Sequence, residues 1–186
     1  MSRRAALLFT SISLSLAACS HVPAATIYEL WNFDMATADP AVLRAAVRIP
    51  LTLHPQPGGV VLTVSKNGSG ASSKHDFILE EVSEPSELAP LSTRMRHGFT
   101  VHAYRLSKAD IERVRALQKK PGGGGSIGIG AKACRTADLP KGAILSSTFL
   151  KVDAKRGYLT VLDDIDLRKE LGEVNLDKEI PPCAAA

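Results

Sequence analysis

Apolar and polar positions alternate most cleanly from Val60 to Ser65, where Val60, Leu62 and Val64 stand against Val61, Thr63 and Ser65. A period of two predicts a half-buried strand. Asn67-Gly68-Ser69-Gly70 is a turn, and His75 to Val82 is the expected hairpin partner. The aromatic-rich run Ile27 to Asp34 predicts a first strand, and Phe99 to Leu106 another. Ile127, Ile129, Ala131 and Ala133 alternate with Gly128 and Gly130, a strand patterned on one face and bare on the other. Close packing is expected on that glycine side. Ala143 to Val152 and Tyr158 to Leu162 complete seven expected strands, as a hairpin around Lys155-Arg156-Gly157.

The period changes to that of a helix in three places. Asp39-Pro40 reads as N-cap and first helical residue, Val42, Leu43, Ala46 and Val47 as one apolar stripe, and Pro50 as the stop. Ser107 with Asp110 three residues on is a variant capping box, and Leu106 and Ile111 are placed for a hydrophobic staple. Ile111, Val114 and Leu117 form the stripe of that helix, and Arg113, Arg115, Lys119 and Lys120 crowd its C-terminal end. Asp164 or Asp166 caps a short helix near Leu167 to Leu171. Pro55, Pro57 and Gly58-Gly59 read as a turn, and residues 83–97 as a polar connection. Short connections favour antiparallel pairing, so the expected fold is α+β and mainly antiparallel β, either sandwich-like or a single sheet.

The first twenty residues follow a different logic. Arg3 and Arg4 precede an apolar, serine-dotted run of 14 residues, Ala5 to Ala18. A bilayer-spanning helix needs about 20 apolar residues, so the run is a signal peptide by length, charge and position. It ends Leu16-Ala17-Ala18-Cys19, which resembles the lipobox of bacterial lipoproteins over about twenty residues of the chain. The resemblance implies a diacylglycerol thioether on Cys19, cleavage after Ala18 and N-acylation. Such a protein carries a signal peptide at 1–18, a lipidated N-terminus and tether at 19–26 and one periplasmic domain at 27–186. Ser20 is not the aspartate of the inner-membrane retention signal, which implies the outer membrane. The alternative is cleavage near Ala24 or Ala25 and a protein free in the periplasm. A twin-arginine reading of Ser2-Arg3-Arg4 fails because Ala6 stands where that motif carries Phe. The seven residues from Ser20 to Thr26 reach at most about 25 Å.

Composition changes meaning once the leader is set aside. The chain of 186 residues carries 23 Lys and Arg against 19 Asp and Glu. The leader takes two arginines with it, which leaves 21 against 19. No basic run suggests nucleic acid as a partner. The expected partners are the membrane, through the lipid, and an envelope protein. With Cys19 lipidated, Cys134 and Cys183 remain, an even number that in an oxidising compartment suggests one disulfide.

Several motifs are formally present and fail on context. Gly124-Gly125-Ser126-Ile127-Gly128 matches G-x-S-x-G, but the elbow needs a strand before the serine and a helix after it, and here the order is reversed. All five histidines (21, 54, 75, 97 and 102) also precede Ser126. Gly123-x-Gly125-x-x-Gly128 matches the dinucleotide fingerprint and fails likewise, so no cofactor is expected. His75, His97 and His102 lack metalloprotease spacing, and His102 is expected on a solvent face. Asp163, Asp164, Asp166 and Glu170 lack a calcium-loop pattern and read as helix caps. Arg44 and Arg48, one helical turn apart on the expected helix, are suited to an anion or lipid headgroup but fit a solvated face better. The expected function is a membrane-anchored envelope lipoprotein with a non-enzymatic binding, scaffold or envelope-maintenance role. The rivals are a small hydrolase using Ser126 and a metal-handling protein using histidines.

Overall fold

The computed structural model describes residues 36–67, 73–119, 123–171 and 176–184. The expected strand at 27–34, and Cys19 with its tether, lie outside them. Eight strands form two antiparallel sheets among the described residues, so the fold is α+β and mainly β, as the pattern predicts. The strands are β1 (Arg44–Pro50), β2 (Leu53–Asn67), β3 (Ser73–Ile78), β4 (Glu80–Val82), β5 (Phe99–Arg105), β6 (Gly123–Arg135), β7 (Leu145–Lys151) and β8 (Leu159–Asp166). One sheet has the order β4-β5-β1-β7-β8 and the other β3-β2-β6. The helices are α1 (Pro85–Leu88), α2 (Lys108–Gln118), α3 (Leu167–Leu171) and α4 (Leu176–Glu179), with a 3-10 segment at Ala89–Arg94.

The main core lies between the sheets. Ala45, Val47, Tyr104, Leu150 and Val152 meet Leu62, Val64 and Phe77, and Val114 and Leu117 of α2 close one end. Helix α2 forms as its signals predict: Ser107 Oγ accepts from the Asp110 amide at 3.0 Å, although it also donates to Asp110 Oδ2 at 2.9 Å, so this is not a reciprocal box. The outer face of the larger sheet is covered as well. Ala46, Ala103 and Phe149 pack under Leu91 of the 3-10 segment, Leu88 of α1 and Tyr158. The expected polar connection at 83–97 is therefore a lid of short helices over that face.

Four expectations are corrected. Residues 40–49 are not a helix: β1 is the central strand of the larger sheet, and Ala45, Ala46 and Val47 are all buried because both faces are packed. A strand buried on both sides loses its period of two and mimics a helical stripe. Pro55 to Gly59 is not a turn. Strand β2 runs straight through it with a register shift between Pro55 and Val60, where Gly58 takes a φ of +68°. A Cβ on Gly59 would lie 2.9 Å from the Gln56 carbonyl oxygen and 3.1 Å from that of Lys132, which explains glycine at this close approach. The run His75 to Val82 is not one hairpin strand: β3 pairs with β2, while β4 crosses to the other sheet and pairs with β5. Among the described residues nothing packs on the glycine side of β6 at Gly128 and Gly130, where a Cβ would meet no atom within 4 Å.

Candidate functional site

The densest polar assembly grows from the outward-facing residues of β1. Arg44, Ala46 and Arg48 share that face, and only the alanine is small enough to sit under the lid. Arg44 reaches α1, donating from Nε and Nη2 to the two carboxylate oxygens of Glu87 at 3.0 and 2.8 Å. This bidentate pair holds the Glu87 carboxyl below its ordinary value and raises the arginine. Its Nη1 also donates to the Ala41 and Leu43 carbonyls.

Arg48 is more enclosed, with its side chain 12% exposed. Its Nη2 donates to Ser147 Oγ at 2.8 Å and to Asp164 Oδ1 at 2.9 Å, with Asp163 Oδ1 at 3.3 Å. Its Nη1 donates to the Arg94 carbonyl in the 3-10 segment at 3.2 Å, while Nε is buried with no partner. The acceptors exist because β8 bulges. The register against β7 shifts between Ser146 and Thr148, so Asp163 and Asp164 both lie opposite Ser147. Asp164 has a φ of +45°, a region aspartate enters more readily than most residues. Its amide donates to Ser147 Oγ at 3.0 Å, and the same hydroxyl donates to Asp163 Oδ1 at 3.1 Å. Arg96 Nη1 donates to Asp164 Oδ2 at 2.9 Å, so that carboxylate bridges two arginines.

Two phenylalanines form the floor. The guanidinium of Arg48 lies 6.0 Å from the Phe99 ring centre and 5.6 Å from that of Phe149. Arg94 lies over Phe149 at 5.2 Å and Arg96 over Phe99 at 5.0 Å. Such contacts favour the cation, more so as water is excluded. Three cations stand against two carboxylates, and Arg96, Asp163 and Asp164 are the exposed members of the assembly. Ser147 is wholly buried and hydrogen-bonded on both sides, so it is unavailable as a nucleophile. The network therefore locks the lid and the β8 bulge to β1.

The sequence candidates separate in space. Ser126 lies within β6 opposite Ser65 of β2, in an extended strand rather than an elbow. His75 is on β3 opposite Val64, and His97 follows the lid. His102 is corrected: it is half-buried, not on a solvent face, and its Nδ1 lies 2.7 Å from Glu81 Oε1. Its Nε2 is buried with no partner, and its ring meets His54 edge-on with centroids 4.7 Å apart. Because both Nδ1 atoms face acceptors (Glu81, and the Pro55 carbonyl for His54), each bears the proton in the neutral ring. Among the described residues no group of three or more His, Cys, Asp or Glu is placed to hold a metal ion.

Cys134 and Cys183 form a disulfide across 49 positions. It ties the C-terminal segment to β6, where the Arg135 amide donates to the Pro181 carbonyl at 2.8 Å and the Cys183 amide to the Arg135 carbonyl at 2.9 Å. Asp166 keeps its expected role, its Oδ1 accepting from the Arg168 amide at the start of α3. Asp163 and Asp164 do not cap a helix. Their partner Arg48 lies 115 and 116 positions away, and no local spacing signals it. No protein-family model, curated protein or solved structure matches this chain.

Proposed function

We propose that the protein is an envelope lipoprotein, anchored through Cys19 in the outer membrane and facing the periplasm, with a non-enzymatic binding, scaffold or envelope-maintenance role. The observation that carries this reading is the apolar run after Arg3-Arg4 that closes on Leu16-Ala17-Ala18-Cys19. Two or three acyl chains give stable anchoring where one does not. A disulfide of this kind suits an oxidising compartment and supports the same address. The polar network supports a structural role for its arginines and leaves binding to the uncovered surface of the smaller sheet.

Feeding cells a fatty-acid analogue tests the anchor. Label is expected on the wild-type chain and absent from Cys19→Ala, which accumulates as the uncleaved precursor. Label that persists in Cys19→Ala contradicts the assignment. A serine-reactive probe separates the hydrolase rival: no labelling that depends on Ser126 is expected.

A further inference from the structure

Among the described residues four strands form the sheet edges, and three of them are blunted. Strand β4 has three residues and carries Glu80 and Glu81. Strand β3 has six and carries Lys74, His75 and Asp76 in succession. Strand β8 bulges at Asp163 and Asp164 and is pulled onto Arg48. Short length, charge and bulges are the devices that keep a sheet edge from pairing with another chain. Strand β6 is the least protected of the four: its register irregularity lies at its first residues, Gly123 to Gly125, and its two charges, Lys132 and Arg135, lie at the other end. It is 13 residues long and has neither a charge nor a proline from Gly123 to Ala131.

The molecule already adds chain to this edge at one end. Pro182 makes a parallel bridge with Arg135, held by the disulfide next to it. Among the described residues no strand pairs with the edge between Gly123 and Ala133. Eleven residues remain, and their midpoint is Gly128. We infer that this edge pairs antiparallel with the same edge of a second copy, on a two-fold axis through Gly128, to make one continuous six-stranded sheet.

The register is self-complementary on both faces. Ile127 meets the second copy's Ile129, extending the inner apolar face on which both side chains are only partly buried. On the outer face Ser126 meets Gly130, Gly128 meets itself, and Lys132 meets Gly124. No like charges are opposed, which would otherwise cost stability. Closed two-fold pairing consumes the edge and ends there, so it makes dimers rather than fibres. The inference does not depend on lipidation.

The test is cysteine cross-linking of the full-length chain in its membrane. Opposed strand residues have Cα atoms about 4.5–5.5 Å apart, within disulfide reach. Gly128→Cys is expected to form an oxidised dimer. Ser126→Cys and Gly130→Cys are expected to cross-link when co-expressed and weakly when either is expressed alone, because each then lies about 13 Å from its own copy. A Cβ at 128 meets no atom within 4 Å, so these variants leave the fold intact. Gly128→Lys, measured by sedimentation of the detergent-solubilised chain, is expected to weaken the dimer about fivefold by opposing like charges. Equal cross-linking at all three positions, no dimer at any, or a cross-link to a different protein overturns the inference.

Discussion

The two sheets spend their small residues differently. On the outer face of the larger sheet, Ala46 and Ala103 are buried beneath α1, the 3-10 segment and Tyr158. On the outer face of the smaller sheet, Gly128 and Gly130 face open space. Small residues in the first case make room for a covering layer that belongs to the chain. In the second they leave, among the described residues, a bare surface beside the least protected edge. The contrast shows that a small residue in a strand signals a close neighbour only when something is there to approach. Alternation alone cannot tell the two apart.

Predictions that sharpen this contrast begin with the largest effect. The disulfide joins the smaller sheet to the C-terminal segment across 49 positions. For a loop of that length the chain-entropy model gives about 4 kcal/mol. The Cys134→Ala, Cys183→Ala double variant is expected to lose about that much in denaturant unfolding, and a loss below about 1 kcal/mol would mean that the tail holds without the bond. Next is the lock on the larger sheet. Arg48→Ala leaves Ser147, Asp163 and Asp164 without their cation at the bulge. It is expected to cost about 2–3 kcal/mol, somewhat under the range for fully buried pairs because both aspartates are partly exposed.

The smallest effects are in pH dependence, and two of them lie at the covered face. Burial pushes the Tyr158 hydroxyl up to about 12 from an ordinary 10, and that hydroxyl is buried without a partner. A raised value in the folded state means the contribution is complete below pH 10 and is lost as pH rises towards about 12. Tyr158→Phe should flatten that alkaline decline without weakening the protein at neutral pH, since it removes an unsatisfied polar group. Glu87 titrates the other way. The bonded Arg44 guanidinium holds its carboxyl below the ordinary 4.5, so its contribution is present above that pH and falls away as acid protonates it. Glu87→Gln should therefore differ from wild type at neutral pH and converge with it in acid.

What could be read from sequence follows the same division. Strand β2 was legible from Val60 onward because Val60, Leu62 and Val64 are buried against more polar alternate positions, and helix α2 because of its strong cap. Strand β5 was legible from its aromatic and β-branched residues, and β7 and β8 from the turn between them, although β5 and β7 are buried on both faces. Strand β1 was not, because burial on both sides removed its alternation and Asp39-Pro40 supplied a helix-start signal. The Asp39 side chain does cap locally, accepting from the Ala41 amide at 3.0 Å, but no helix follows. Strand β4 is three residues long, and its sheet is set by β5 rather than by its neighbour in sequence. The disulfide was legible from cysteine number and from the oxidising compartment that the leader implies. The arginine network was legible only as separate parts, Arg44 and Arg48 in one place and the aspartates in another. Pairing across more than a hundred positions depends on the bulge that aims Asp164 at β1.

The contrast between the sheets is tested most directly by placing the same larger side chain on each outer face. Unfolding free energies would be compared for Ala103→Val on β5 and Gly128→Val on β6. The covered face should reject the extra carbons at a cost of about 1–3 kcal/mol. The open face should accept them with no loss, or gain up to about 1 kcal/mol, because valine favours a strand over glycine. Equal losses at the two positions would contradict the account, since they would mean that the glycine face of β6 is as closely covered as the alanine face of β5.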